Sequence, residues 1–141
     1  MRRFVSLALL VMLAACGGDS TAPNADVTGN YTLRTVNGAN PPTTIFQSSD
    51  ETVELTDGNI MLNADKTWSG VLTVRVTDLT AGGTATTLSL PANGTYTSTG
   101  GTLTLIDATD GSHFNGSVGG GTLTISGDII VPSVLTLVFK R

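Results

Sequence analysis

The sequence predicts an all-β fold: an antiparallel up-and-down meander of about eight to ten strands closing into a barrel, with a two-sheet β-sandwich as the alternative. Three observations predict it. Beyond residue 15 the chain is rich in Thr and Gly and sparse in Lys, Glu and Ala, so strands and tight turns are favoured over helices. Residues 67–77 alternate cleanly, with Trp68, Gly70, Leu72, Val74 and Val76 on one face and mostly Thr, Ser and Arg on the other. Gly100-Gly101-Thr102-Leu103-Thr104-Leu105 recurs as Gly120-Gly121-Thr122-Leu123-Thr124-Ile125, and connections this short join only antiparallel neighbours.

Ahead of this domain the chain opens MRRFVSLALLVMLAAC. Arg2 and Arg3 form a positive start, 4–13 an apolar run, and Ala14-Ala15 the small residues of a cleavage site, so 1–15 reads as a secretory signal peptide. The run ends at Cys16-Gly17-Gly18, short of the ~20 apolar residues a membrane-spanning helix needs. Leu13-Ala14-Ala15-Cys16 resembles a bacterial lipobox, which implies a lipid attachment at Cys16. Acyl chains there, such as palmitate, would hold the protein on a membrane, each buried methylene contributing ~0.8 kcal/mol. The plainer reading is an ordinary cleaved leader with an incidental cysteine. Cys16 is the one cysteine, so no disulfide framework is possible. Gly17, where enterobacterial sorting uses Asp for inner-membrane retention, implies by the same resemblance the outer membrane of a bacterial cell envelope. Residues 16–26, small, polar and interrupted by Pro23, form a flexible tether. A single domain follows at 27–141.

Within it, residues 29–36 begin the first strand, Tyr31 and Leu33 on one face and Thr32 and Arg34 on the other, closed by the turn pair Asn37-Gly38. Pro41-Pro42 cannot join a ladder and starts a loop. In 51–63, Val53 and Leu55 share one parity and Ile60 and Leu62 the other, so Asp57-Gly58 is a hairpin turn or a bulge. The alternating strand after Asn63-Ala64-Asp65-Lys66 is central. Residues 79–86 form a loop, and 87–90 a short strand stopped by Pro91. Further strands are expected at 95–97, 102–106, 112–118 with Phe114 and Val118 inward, 122–126 and 134–139, the last presenting Leu135, Leu137 and Phe139. Residues 129–132 form a loop or an edge piece.

Gly29-Asn30-Tyr31 followed by Leu33, Val36-Asn37-Gly38 with the Pro pair, the Gly94-Thr95-Tyr96-Thr97 hairpin and the ending Leu137-Val138-Phe139-Lys140-Arg141 resemble small lipocalin-like bacterial lipoproteins. The resemblance spans 27–141 and implies a lipocalin-like barrel with an apolar cavity. Tyr31 stands where lipocalins commonly carry Trp, and the one Trp here is Trp68.

Charge narrows the partners. Seven basic against eleven acidic residues give a net charge of −4, and loss of Arg2 and Arg3 with the leader makes the balance more acidic. That argues against nucleic acid, which demands clustered Lys and Arg. Catalytic chemistry is sparse as well. His113 is the one histidine, and Ser112 and His113 point to opposite faces of a strand, so with Asp110 they assemble the letters of a triad without its geometry. Asp107-Ala108-Thr109-Asp110-Gly111 lacks the spacing and closing Glu of a calcium loop, and the remaining acids sit mostly at turns. The glycines at 116–121 precede no helix and no Lys-Ser/Thr pair, which makes them a turn and not a phosphate cradle. No catalytic residue, metal ligand or cofactor is therefore assigned. Tyr31, Trp68, Leu72, Val74, Tyr96 and Phe114, on the apolar faces, are candidates to line a ligand cavity or simply to fill the core. A transmembrane barrel needs strands of ~9–11 residues with apolar outer faces, whereas most strands expected here are shorter and one face is threonine. The chain reads as a membrane-anchored, non-catalytic envelope lipoprotein with a small hydrophobic ligand. The alternative is a structural or interaction module with a packed core and a protein partner.

Overall fold

A computed structural model describes residues 26–80 and 82–141, so the expected leader, Cys16 and the tether up to Ala25 lie outside the described residues. The described residues form nine strands: β1 (Gly29–Val36), β2 (Thr43–Gln47), β3 (Glu51–Leu62), β4 (Thr67–Asp78), β5 (Thr84–Thr99), β6 (Thr102–Asp107), β7 (His113–Gly119), β8 (Thr122–Gly127) and β9 (Leu135–Lys140). All pairings are antiparallel and run between sequence neighbours from β2 to β9. Closure comes from β1. Its first half pairs with β3, Gly29 opposite Leu62, and its second half with β9, Val36 opposite Leu137. The result is a closed eight-stranded barrel, with β2 an extra strand along the outer half of β3. Closure removes the sandwich alternative and leaves few open edges.

The parity read from the sequence is the parity adopted. Tyr31 and Leu33, Trp68 and Val74, Leu103 and Leu105, Leu123 and Ile125, and Leu135, Leu137 and Phe139 are all buried. At Asp57-Gly58 the strand does not turn. Leu55 pairs with Val74 and Asp57 with Thr73, so Thr56 is the extra residue of a bulge, its hydroxyl donating to the Thr73 carbonyl at 2.9 Å. The bulge resets the alternation so that Val53 and Leu55 join Ile60 and Leu62 on the inside.

Two expectations are corrected. After Pro41-Pro42 the chain returns at once to extended structure as β2, pairing Thr43 with Leu55. And Pro91 does not stop a strand: β5 begins at Thr84, inside the loop expected at 79–86, and runs through Pro91 for 16 residues, joining the strands expected at 87–90 and 95–97 into one. Pairing with β6 begins only at Gly94, so Pro91 sits where β5 has β4 on one side and no strand on the other, a position that tolerates a residue without an N–H. Residues 129–132 are a loop, of which Ile129, Ile130 and Val131 pack against the core.

The two barrel ends differ. One gathers the β3–β4, β5–β6 and β7–β8 turns with both ends of the domain, and is filled by Leu62, Leu103, Leu123, Phe139, Tyr31 and Tyr96. Buried hydroxyls there are bonded: Tyr31 donates to the Val27 carbonyl at 2.8 Å and Tyr96 to the Asn63 carbonyl at 2.6 Å. Arg141 closes this end, its Nη2 donating to the Tyr31 hydroxyl at 2.8 Å and to the Asp26 carbonyl at 3.0 Å. Toward the other end β3, β4 and β5 overshoot the short strands opposite, and Leu88 and Leu90 on the inner face of β5 stand 45% and 37% exposed.

Candidate functional site

Short side chains leave room inside. Gly70 of β4 has Ile60 of β3 on one side and Ala92 of β5 on the other, so little projects inward where these strands meet. A methyl on Gly70 would come within 2.8 Å of the Asn59 carbonyl oxygen, so the strands approach too closely there for any side chain. The space left is a partly open cavity of about 200 Å³. Leu72, Leu90 and Ala92 form one wall, Leu105, Phe114 and Ile125 the facing one, and Ile129 and Ile130 reach in from the β8–β9 loop. Trp68, Leu137, Ile60, Val71 and Pro91 complete the apolar surface, and Asn59 and Asp107 are the polar side chains at its border. Trp68 is held by its indole N–H, which donates to the Ile106 carbonyl at 3.2 Å. Gly94, opposite Trp68 in the ladder, is what admits the ring: a methyl on it would run into the Ile106 carbonyl and lie 2.9 Å from Trp68 Nε1.

Of the residues the sequence nominates as lining, Trp68, Leu72 and Phe114 border this cavity. Tyr31 and Tyr96 are 0% and 2% exposed and belong to the filled end, and Val74 is buried outside the lining. Leu105, Ile125 and Leu137, read from the sequence only as core, line the cavity as well, and sequence reasoning missed Leu90, Ala92, Ile129 and Ile130. Leu90 and Ala92 follow from β5 running on through Pro91. The apolar pair Ile129-Ile130 in a loop is the available signal, since adjacent isoleucines in a loop mark a segment folded in against the barrel.

The cavity is almost free of charge. Asp107 at the end of β6 has the inward parity of Leu103 and Leu105, and its Oδ1 accepts the Thr109 N–H at 2.6 Å. Cations lie elsewhere. Arg75 reaches Glu54 Oε2 at 2.6 Å on the outer face, Lys66 stands 5.1 Å from the centre of the Tyr96 ring, Arg141 caps the filled end, and Arg34 and Lys140 are exposed. His113 is exposed, while Phe114 beside it borders the cavity. Asp110 bonds the Ser112 backbone N–H at 2.8 Å, as a turn requires. Its carboxyl lies below the ordinary value, chiefly through the Ser112 hydroxyl and then the Ser112 N–H. Among the described residues no group of three His, Cys, Asp or Glu could hold a metal ion.

Solved structures similar to the chain include the fatty-acid-binding protein isolated from Manduca sexta, at 16% identity and a TM-score of 0.35, over 81% of this chain and 98% of that one. No protein-family model matches the chain, and no curated protein matches it significantly.

Proposed function

We propose that the chain is a bacterial envelope lipoprotein, lipidated at Cys16, whose barrel binds a small hydrophobic molecule without transforming it. The observation that carries the binding reading is the apolar cavity bordered by Leu72, Leu105, Phe114 and Ile125 in an otherwise filled barrel. Such a cavity favours an apolar guest because water inside it finds few polar partners. Its size sets the scale of the guest. At about 200 Å³ it falls below the ~300–1,000 Å³ typical of drug-sized ligands and slightly above the ~150 Å³ that accommodates a benzene ring.

The test is binding of toluene and 1-octanol to residues 17–141, which contain every described strand. A guest bordering Trp68 changes its fluorescence. At a hundredfold excess over the dissociation constant it also stabilises the fold by about 2.7 kcal/mol, visible as a raised melting temperature. Absence of both effects sinks the reading. The lipid anchor draws support from the Leu13-Ala14-Ala15-Cys16 sequence. Changing Cys16→Ser should release the protein from membranes, and persistence there would mean another means of attachment. The non-catalytic reading draws on the exposed His113, the one histidine, which stands on the outer face beside the inward Phe114.

The second reading, an interaction module, is favoured by the overshooting β3–β5 sheet. There Leu88 and Leu90 are exposed, and β5 from Ala85 to Ala92 pairs with β4 alone. A protein crosslinked at this edge in the native envelope, together with an empty cavity, would favour it over ligand binding.

A further inference from the structure

We infer that the cavity selects uncharged guests and rejects carboxylates. This rests on the binding reading above and adds the chemical class of the ligand. Among the described residues the lining contains one ionisable side chain, Asp107, and no Lys, Arg or His. An ionised carboxylate drawn into an apolar cavity loses its hydration, and only a cation or several converging N–H donors compensate. Among the described residues neither is provided: Asn59 brings the lining's one side-chain amide, a single donor and not a converging set, and the Trp68 N–H is already given to the Ile106 carbonyl. Arg75 is engaged by Glu54 on the outer face, Arg141 by Tyr31 at the opposite end, and Lys66 stands over Tyr96. Of the lining backbone, Pro91 on the open side of β5 has no N–H, and the Asp107 carboxylate already accepts the Thr109 N–H from outside the lining. An anionic headgroup at the cavity would meet the like charge of Asp107, which raises the cost further. A hydroxyl escapes both penalties, since it carries no charge and can donate to the Asp107 carboxylate.

The experiment compares 1-octanol with octanoate, which share a chain length and differ at the head, by titrating Trp68 fluorescence and by calorimetry at neutral pH on residues 17–141. The expected result is binding of 1-octanol and at least about tenfold weaker binding of octanoate, the penalty of an unpaired buried charge beside a second one. Two variants locate the cause. Asp107→Asn keeps an acceptor for the Thr109 N–H and should narrow the ratio between the two ligands. Ile130→Lys brings a cation to the lining and should narrow it further or reverse it. Both are checked for folding by near-ultraviolet circular dichroism. Equal affinities in the unaltered chain overturn the selectivity while leaving the binding reading intact. If 1-octanol, octanoate and toluene all fail to bind, the binding reading falls and takes the selectivity with it.

Discussion

Tyr31 shows how a single side chain can hold one end of a barrel. Its ring is fully buried among apolar neighbours, and its hydroxyl both donates to the Val27 carbonyl and accepts from Arg141, which lies 5.2 Å from the ring centre. Removing the oxygen leaves a buried carbonyl without its donor and frees the arginine that clasps the two ends of the domain. Tyr31→Phe should therefore cost about 1–2 kcal/mol, read as a lower midpoint in urea unfolding, with the barrel otherwise intact. A shift within error would mean that water replaces both bonds. Of this arrangement the sequence shows only the inward parity of Tyr31. Arg141 lies 110 residues away, and no local signal marks it as the partner.

Strands of very unequal length divide the molecule into a packed half and an overhang. Leu123 of β8 is 0% exposed, whereas Leu88 of β5, at the same inward parity, is 45% exposed because no strand faces it. The substitution is the same and the consequence differs. Leu123→Ala should cost about 2–5 kcal/mol through lost burial and the void left behind. Leu88→Ala should stay within about 0.5 kcal/mol. Comparable losses at the two sites would show that something covers the overhang in solution. Alternation alone places both leucines on the apolar face. How far each strand extends past its neighbour is set by register, and register is fixed by pairing across the sheet.

At the scale of the whole molecule, stability depends on turns as well as core, and the turns titrate. Asp26, Asp65 and Asp110 all lie below the ordinary carboxylate value of 3.8, first because Thr28, Thr67 and Ser112 hydroxyls bond to them and next because backbone N–H groups do. A carboxyl lowered in the folded state contributes stability that is complete above the unfolded value and is lost as pH falls through the folded one. Tyr96 works at the other limit. Burial first, and then the charges of Asp26 and Asp65, raise its hydroxyl above the ordinary 10.0, so its contribution is complete below that value and lost as pH rises through the raised one. Denaturant unfolding across pH should therefore show a plateau from roughly pH 5 to 9, falling on both sides. A steep change near neutrality would contradict this.

By itself the sequence determined what local sterics control. Successive strand residues face opposite ways, so Trp68 to Val76 and Leu103 to Leu105 had to present one apolar face, and the Gly-Gly pairs had to fold each strand back on the last. Only the tertiary structure decided the properties that arise where distant strands meet. β1 closes the barrel by pairing with both β3 and β9, and β5 continues through Pro91 because its far side is open. Leu72, Phe114, Ile125 and Ile130 enclose space where Tyr31 and Tyr96 fill it. The charge pattern of the cavity is decided there too. Whether a lysine or arginine reaches the lining depends on where closure carries it, and here closure carries the cations to the outer face and the opposite end, leaving an apolar cavity beside one carboxylate.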